Sequence, residues 1–355
     1  MKKILFIVQY PNGISPIQRF RLELYEKTLR DNNIDFRIQS FIDESTRKII
    51  YEKGYIFQKL AGVIKGFLRR FTGLIKIPGY DFIVIYREAA PMGPPVFEWI
   101  YTKVFRKKMI FDFDDSIWVP AVSDNYKWIR IFKCYWKIKY ICKWAYKISV
   151  GNMYLYDFAK KYNKNVLLNP TCVDTVYHHN IIHSHNADKI TIGWTGSFST
   201  LIYLNQVIEV LQELEKNYSF DFIVIADNNP QLPLKQFKFL KWRKQTEIED
   251  LLKIDIGIMP LPDSDFERGK CGFKIIQFFA LGIPAVASPV GVNKKIIDQN
   301  INGFLCETQQ QWYVALEKLM ADKVLREKMG IAGREKVEKN YSVASNASNF
   351  LSLFA

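Results

Sequence analysis

One short segment of the chain combines several glycines with three cationic side chains. Residues 255–293 read DIGIMPLPDSDFERGKCGFKIIQFFALGIPAVASPVGVN and include Arg268, Lys270 and Lys274. The segment predicts a strand, a polar loop, a helix from Phe273 to Leu281 and a second strand, so both strands end at one edge of a sheet. Helix N-termini and backbone amides at such an edge suit a phosphate, and the lysines add positive charge. The segment therefore predicts a site for a phosphorylated ligand.

Carboxylates follow a different apolar strand. The sequence DFDD at 112–115 comes directly after KKMIF. Carboxylates there bind a metal, share a proton or pair with Arg and Lys. The pattern also fits the first motif of haloacid-dehalogenase-type phosphatases, but the chain has no GDxxxD motif, which those enzymes need. Asp114 and Asp115 are candidate catalytic residues, and a charge cluster that holds Arg87 or Arg19 is the alternative.

Two arginines lie at the start of the first predicted helix. Gly13 begins a turn, Ser15 is the predicted N-cap, and Gln18 would complete a capping box. Arg19 and Arg21 fall near the positive end of the helix dipole, where a purely structural helix gains nothing from cations. We predict that Gly13, Arg19 and Arg21 bind an acceptor or donor phosphate, and solvated or carboxylate-paired arginines are the alternative.

Small residues end a strand in the second half of the chain. GWTGS at 193–197 would let a diphosphate approach backbone amides, so Gly196 and Ser197 are candidate ligand-binding residues. Four histidines fall between the halves, at 178, 179, 183 and 185. No acidic or Cys partner is spaced for a metal site nearby, so the sequence predicts exposed linker histidines.

The segment 255–293 resembles the donor-binding motif of the retaining glycosyltransferases of family 4, also called glycosyl transferases group 1. The matching stretches are GKCGFK, ALGIPAVAS, PVGVN and the later NGFL at 302–305. The resemblance covers most of residues 190–340. It implies a nucleotide diphosphate sugar as donor, with no metal or other cofactor. The donor-binding residues it implies are Gly196, Ser197, Arg268, Lys274, Gln277, Val290 and Gly291.

The chain also departs from the family pattern. The family has two glutamates with seven residues between them, and these positions are Gly269 and Gln277 here. Many members have an Arg and a Lys that hold the donor diphosphate, just after the first strand of the donor domain. The matching residues 197–200 of this chain, SFST, include neither. Arg268, Lys270 and Lys274 are therefore expected to supply that positive charge. A His-Asp pair that contacts the donor sugar in the family corresponds to Asp114 and Asp115. The sequence therefore predicts a divergent branch.

Alternation of strands and helices predicts the elements that hold these residues. The fold class is α/β, of the GT-B type, with two Rossmann-like doubly wound domains facing across a cleft. The first domain spans 1–177, a linker spans 178–189, and the donor domain spans 190–340. The segment 341–355 is expected to pack back on the first domain.

The predicted strands of the first half are Lys3–Gln9, Asp35–Phe41, Phe82–Tyr86, Met109–Phe113, Ile148–Val150 and Val166–Leu168. Those of the second half are Ile190–Thr195, Phe222–Ala226, Ile256–Met259 and Ile283–Ala287. The predicted helices include Ile17–Arg30, Pro95–Arg106, Met153–Tyr162, Leu201–Asn217, Glu247–Leu252, Phe273–Leu281, Gln310–Met320 and Lys323–Asn340.

Composition indicates an anionic partner. The 355 residues include 50 Lys or Arg against 36 Asp or Glu, a net charge of +14. Residues 127–147 hold seven cations, seven aromatics and no acid, and residues 47–76 hold eight cations and one acid. Aromatic side chains between lysines favour an anionic membrane surface over nucleic acid. A solvated basic helix whose aromatics pack on a neighbouring element is the alternative.

Other features bear on location. The chain has no apolar run of 18 residues, and the apolar run after Lys3 is too short for a signal peptide. Five cysteines without a CxxC motif suit a reducing compartment. The sequence therefore predicts a cytoplasmic protein, peripheral at the inner face of the cell membrane.

The expected activity is transfer of a hexose from a UDP-linked donor to a hydroxyl on a lipid-linked glycan, with retention, in bacterial surface polysaccharide synthesis. Lys270, Arg268 or Lys274 would stabilise the charge of the leaving group. A nucleotide-sugar epimerase with the same fold and a non-catalytic nucleotide-sugar-binding partner of another transferase remain the alternatives.

Overall fold

The computed structural model describes residues 1–50, 52, 54–120, 131–186 and 189–355. The chain forms two compact units. The first consists of Met1–Thr171 together with Ala347–Ala355, and the second is Cys172–Asn346. Each unit has its own parallel sheet and its own core.

The first unit is built on a six-stranded parallel sheet in the order β2-β1-β3-β4-β5-β6. The inner strands are continuous apolar runs that are buried along nearly their whole length, as expected for a sheet covered on both faces. All six predicted strands are present within one residue of their expected ends. They are β1 (Lys2–Val8), β2 (Ile34–Ser40), β3 (Phe82–Tyr86), β4 (Lys108–Phe113), β5 (Lys147–Val150) and β6 (Val166–Leu168).

The helices of the first unit differ more from prediction. The expected helix Ile17–Arg30 is broken into Pro16–Arg21, a 3-10 turn Glu23–Tyr25 and Glu26–Asp31. The predicted capping box is wrong: Ser15 makes no side-chain cap, and the Gln18 amide instead bonds the backbone of Tyr10 and the Glu23 carboxylate. The other helices are Glu44–Ile49, Ile56–Gly73, Val96–Trp99 with a π turn Ile100–Val104, Lys137–Trp144 and Met153–Lys160, with a 3-10 turn at Leu74–Gly79.

The second unit has a six-stranded parallel sheet in the order β9-β8-β7-β10-β11-β12. This is the strand order of a dinucleotide-binding Rossmann sheet. From β7 the chain first adds strands on one side of the sheet, β8 and β9, and then on the other side, beginning with β10. Ligands of such sheets bind outside the carboxyl ends of the strands at this change of side. The strands are β7 (Thr191–Thr195), β8 (Asp221–Ala226), β9 (Phe237–Lys241), β10 (Ile256–Met259), β11 (Ala285–Ala287) and β12 (Gly303–Leu305).

Two strands of the second unit were not predicted, β9 and β12. The sequence of β9, FKFLK, is basic and only partly buried, which is typical of an edge strand. The expected helix Leu201–Asn217 is a 3-10 stretch, Phe198–Gln206, followed by the α-helix Ile208–Asn217. The remaining helices are Glu247–Leu251, Asp265–Arg268, Phe273–Ala280, Asn293–Ile296, Gln309–Ala321 and Lys323–Asn340, with a 3-10 turn at Lys244–Thr246. The chain ends with Val343–Leu351 and a 3-10 turn, Ser352–Phe354.

The basic aromatic segment 127–147 is described from residue 131 onward, and residues 127–130 lie outside the described part. Its described portion contains the helix Lys137–Trp144. Among the described residues, no helix combines the length and apolar character needed to cross a bilayer.

Candidate functional site

The carboxyl ends of β7, β10 and β11 meet at one edge of the second sheet. β10 pairs with β7 on one side and with β11 on the other. The loops that leave these three strands contain the predicted residues Gly196 and Ser197, then Arg268 and Lys270, then Val290 and Gly291. The fold therefore brings the predicted ligand-binding residues of this unit to its topological switch point, where nucleotides bind in Rossmann sheets.

A helix N-terminus opens on this edge. The helix Phe273–Ala280 begins at Gly272, which has a φ of 65° in the left-handed region. A side chain there would also collide with Ile296, whose Cδ1 lies 2.2 Å from the Cβ position. Both observations favour glycine at this N-cap. The amides of the first turn have no acceptor within the helix and are positioned to bind an anion.

Glycine also allows two loops of the edge to touch. Gly291 has a φ of 54°, and a Cβ at this position would lie 2.6 Å from the carbonyl oxygen of Arg268. A Cβ at Gly196 would lie 2.4 Å from the ring of Trp194. These close approaches leave backbone, rather than side chains, lining this part of the edge.

Lys274 and Lys270 supply the positive charge. The Nζ of Lys274 lies 4.5 Å from the ring centroid of Trp194, and that of Lys270 lies 4.8 Å from the ring of Phe266. Lys274 is half-buried, and it makes no hydrogen bond or ion pair with any residue that the structure describes. Burial, and then the charge of Lys270, lower the pKa of Lys274 to about 7. An anion at this position would restore the charged form.

Arg268 is placed differently from the two lysines. Its guanidinium makes two hydrogen bonds to Asp263, of 2.7 and 3.1 Å, and lies 3.5 Å from Asp265. The arginine is therefore already neutralised by carboxylates within its own loop. The lysines are the better candidates for holding a ligand diphosphate.

Glu267 lies two residues before Gly269 but points into the protein. Its side chain is buried, and its carboxylate accepts hydrogen bonds from the hydroxyls of Tyr203 and Ser264. It therefore braces the loop after β10. Gln277, a predicted donor-binding residue, is 3% exposed, so few of its atoms reach solvent.

In the first unit, Arg21 is part of a buried network at the carboxyl ends of β4 and β5. Its guanidinium forms an ion pair with Asp112, donates to the backbone carbonyl of Asn169, and lies 3.2 Å from the Ser149 hydroxyl. Both Arg21 and Asp112 are almost fully buried. Arg21 is therefore paired with a carboxylate, which is the alternative to the predicted phosphate contact. Asp112 balances the charge of Arg21 without a bound phosphate.

The other predicted phosphate contacts in this unit are also engaged. The amide of Gly13 donates to the Glu23 carboxylate at 2.8 Å. Arg19 is 5% exposed, with its guanidinium carbon 4.9 Å from the ring centroid of Phe20.

Asp114 and Asp115 form a charge cluster with Arg87. The Arg87 guanidinium is 3.0 Å from Asp114 and also pairs with Asp115. Tyr86 donates its hydroxyl to Asp114 at 2.8 Å, and burial raises the pKa of this phenol well above its usual value. A charge cluster that holds Arg87 is the alternative that the sequence analysis gave to a catalytic role for these two aspartates. Asp114 is 6% exposed and Asp115 17%, so Asp115 is the more accessible carboxylate.

The prediction of exposed histidines is wrong, because none of the four is fully exposed and the side chain of His178 is 31% exposed. His179 and His185 are buried, and the side chain of His183 is 11% exposed. His183 and His185 contact Asp255, which lies 72 residues beyond His183 in the sequence. Local spacing could not reveal a partner at that separation.

Comparison with known proteins agrees with this geometry. Residues 179–336 match the family model described as glycosyl transferases group 1. A search of curated proteins found no matching relative. Among solved structures, sucrose-phosphate synthase from Thermosynechococcus elongatus is similar with a TM-score of 0.71 and 14% identity, over 100% of this chain and 98% of that one.

Two other structures are similar over nearly their whole length. A glycosyltransferase from Rickettsia africae has a TM-score of 0.70 and 16% identity, over 99% of this chain and 97% of that one. HepE from Anabaena, in complex with UDP and glucose, has a TM-score of 0.69 and 13% identity, over 100% and 99%. These likenesses confirm the predicted α/β fold of the GT-B type. The family match lies within the second unit.

Proposed function

We propose that this chain transfers a hexose from a UDP-sugar to a hydroxyl of a lipid-linked glycan, with retention of configuration and without a metal. The observation that carries the proposal is Lys274, a half-buried lysine at the switch point of a Rossmann sheet with no anionic partner among the described residues. A buried cation of this kind is unfavourable unless a ligand supplies negative charge.

The donor diphosphate fits the chemistry of this edge. Lys270 and Lys274 would contact the phosphate oxygens, and the first turn of the helix Phe273–Ala280 would donate amide hydrogen bonds. Gly196 and Gly291 would allow the backbone to approach the same group. UDP is the expected nucleotide because similar structures are described in complex with UDP or UDP-glucose, as HepE is.

The proposed chemistry breaks the bond between the anomeric carbon and the diphosphate and forms a bond to the acceptor oxygen on the same face of the sugar. The acceptor proton passes to the departing phosphate oxygen. Lys270 and Lys274 stabilise the negative charge that develops on the diphosphate. Asp115, the more accessible carboxylate of its cluster, is proposed to bond a sugar hydroxyl.

An exposed apolar stripe on the helix Ile56–Gly73 supports a membrane-bound acceptor. The inner face of this helix is fixed by Gly62, Gly66 and Arg70, which are buried. Arg70 donates to the carbonyls of Val8, Gln39 and Ala89 at 2.7 to 3.0 Å, so the helix cannot turn its outer face inward. That outer face exposes Ile56, Phe57, Leu60, Ile64, Leu68 and Phe71, each by 51% or more.

A second apolar surface continues from this stripe. The ring of Phe71 lies 4.9 Å from Phe97, in the short helix Val96–Trp99. Val96 and Trp99 of that helix line an apolar groove together with Trp136, Tyr140 and Trp144. Exposed lysines at 65, 76, 139 and 143 lie on the same two segments. Large apolar side chains flanked by lysines are typical of a surface that binds an anionic bilayer.

The donor proposal is tested by thermal-shift binding of UDP, GDP, ADP and TDP sugars, with and without EDTA. A UDP sugar that stabilises the protein equally in EDTA is the expected result. Stabilisation that requires Mg²⁺ or Mn²⁺ would contradict the metal-free proposal. Binding without turnover on any lipid-linked acceptor would favour the non-catalytic alternative, and conversion of the free nucleotide sugar would favour the epimerase.

The membrane proposal is tested by co-sedimentation with vesicles. We expect binding to vesicles with ~30% anionic lipid and little binding to zwitterionic ones. The triple variant F57S/L60S/I64S should bind at least ~10-fold more weakly, because it removes three exposed apolar side chains from the stripe. The matched control is V324S/I331S, which changes two exposed apolar residues of the second unit and should bind like wild type. Equal binding by both variants would refute the assigned surface.

A further inference from the structure

A cluster of metal-ligating side chains lies at the amino-terminal edge of the second sheet, away from the donor-binding edge. Asp255 directly precedes β10, and its carboxylate accepts from the amide of Thr191 at the start of β7, at 2.8 Å. His183 and His185 come from the segment that leads into β7. The three residues offer ligand atoms that all lie within 4.8 Å of one another.

The hydrogen bonds of His185 determine its tautomer. Its Nε2 lies 3.0 Å from the carbonyl oxygen of Gly282, so Nε2 carries the proton and donates. In the neutral ring, Nδ1 then presents a bare lone pair. This Nδ1 is buried without a hydrogen-bond partner among the described residues, and it faces the Asp255 carboxylate at 3.6 Å. Two acceptors that face each other in a buried site need positive charge between them, which a second ring proton or a bound metal ion supplies.

The other contacts complete the surroundings of such a cation. The Nε2 of His183 lies 2.8 Å from the same carboxylate oxygen of Asp255, and the two imidazole rings are nearly perpendicular. His185 has a φ of 48°, a conformation that few residues other than glycine adopt. Arg326 acts on Asp255 electrostatically, but its described N–H bonds go to the carbonyls of Leu319 and Met320.

The geometry points to a zinc site formed by His183 Nε2, His185 Nδ1 and Asp255 Oδ1, with water as fourth ligand. Zinc takes nitrogen and carboxylate ligands at about 2.0–2.2 Å in a tetrahedron, so its ligand atoms lie roughly 3.3 Å apart. The observed separations of 2.8 and 3.6 Å from Asp255 fall on either side of that value. The bond from His185 to the Gly282 carbonyl and the bond from Thr191 to Asp255 supply the outer contacts that orient metal ligands.

This site would be structural. It would fasten the segment that carries His183 and His185 to the start of β10, and it takes no part in binding the donor. It therefore does not depend on the proposed transferase activity. It is also compatible with a metal-free reaction, because the ligands belong to the opposite edge of the sheet.

The test is calorimetric titration of the full chain with Zn²⁺ alone, after removal of metal by chelation and without a histidine tag. We expect one equivalent to bind wild type, and binding to weaken by at least ~10–100-fold in H185Q and in H183Q. The matched control is H178Q, a histidine of the same segment outside the cluster, which should bind zinc like wild type. Cobalt substitution should give the intense visible absorption of a four-coordinate site.

Two further measurements distinguish loss of the zinc site from unfolding and from damage to the donor site. Circular dichroism establishes that each variant is folded, and UDP-sugar binding should be the same in H185Q as in wild type. Absence of stoichiometric zinc binding, or equal binding by H185Q, H183Q and H178Q, would overturn the proposal. Loss of UDP-sugar binding by K274M with retained zinc binding would separate the two sites.

Discussion

The carboxyl edges of the two sheets differ in whether every cation has a carboxylate partner. In the first unit, Arg21 pairs with Asp112 and Arg87 pairs with Asp114 and Asp115, so these cations are neutralised by the protein itself. In the second unit, Lys274 lies over the ring of Trp194 with no ion pair among the described residues. Internally balanced charges hold a structure together, whereas an unbalanced cation is reserved for a ligand.

The largest expected effect is on stability in the first unit. Arg21→Met should lower the free energy of unfolding by about 3–5 kcal/mol, because it leaves Asp112 buried without its partner. Urea unfolding followed by circular dichroism measures this loss. The control is Arg30→Met, which removes an exposed pair with Glu26 and should cost less than ~1 kcal/mol. A stable Arg21→Met protein that no longer binds its acceptor would instead make this edge a ligand site.

The next effect is on ligand affinity in the second unit. Lys274→Met should weaken UDP binding about 10–100-fold, since a hydrogen bond to a charged group contributes roughly 1.5–3 kcal/mol. Its stability should not fall, because the variant removes a partly buried charge. Lys318→Met is the control, since Lys318 also lies over a ring, that of Phe304, at 5.7 Å. Calorimetric titration with UDP compares the two, and equal affinities would contradict the assignment of Lys274.

The smallest effect is a dependence on pH. The pKa of Lys274 is about 7 in the folded protein, below the ordinary value of 10.5. Between these values the unfolded chain binds more protons than the folded one, so the free energy of unfolding should rise with pH there, relative to Lys274→Met. UDP binding should take up as much as about one proton near pH 8, since the diphosphate favours the charged lysine. Calorimetry in two buffers of different ionisation enthalpy measures this uptake, and none should remain in Lys274→Met.

The sequence was sufficient for elements whose pattern is local. Continuous apolar runs such as Phe82–Tyr86 and Ile256–Met259 identified the inner strands of both sheets. The spacing of Lys270, Lys274 and the glycines around them likewise identified the switch-point edge, because one continuous segment carries most of it.

Pairings between residues that are far apart in the sequence could not be predicted from it. Arg21 and Asp112 are 91 residues apart, and His183 and Asp255 are 72 apart, so neither pairing has a local signal. The helix near Ser15 looked like a standard capped helix, but Gln18 bonds outside it, and a 3-10 turn follows. The stripe on Ile56–Gly73 is visible only once Gly62, Gly66 and Arg70 are known to face inward.

The division of the first unit between two stretches of chain has a consequence for synthesis. Phe350 stacks on Tyr25 with ring centroids 4.0 Å apart, and Phe354 packs edge-on against Phe82 at 5.7 Å. Both C-terminal rings are buried, yet they follow the whole of Cys172–Asn346 in sequence. On the ribosome, residues 1–171 therefore emerge with part of their core missing. The second unit is synthesised after residues 1–171, but its own sequence is complete before that of the first unit. The core of the first unit can be completed only when residues 347–355 have left the exit tunnel.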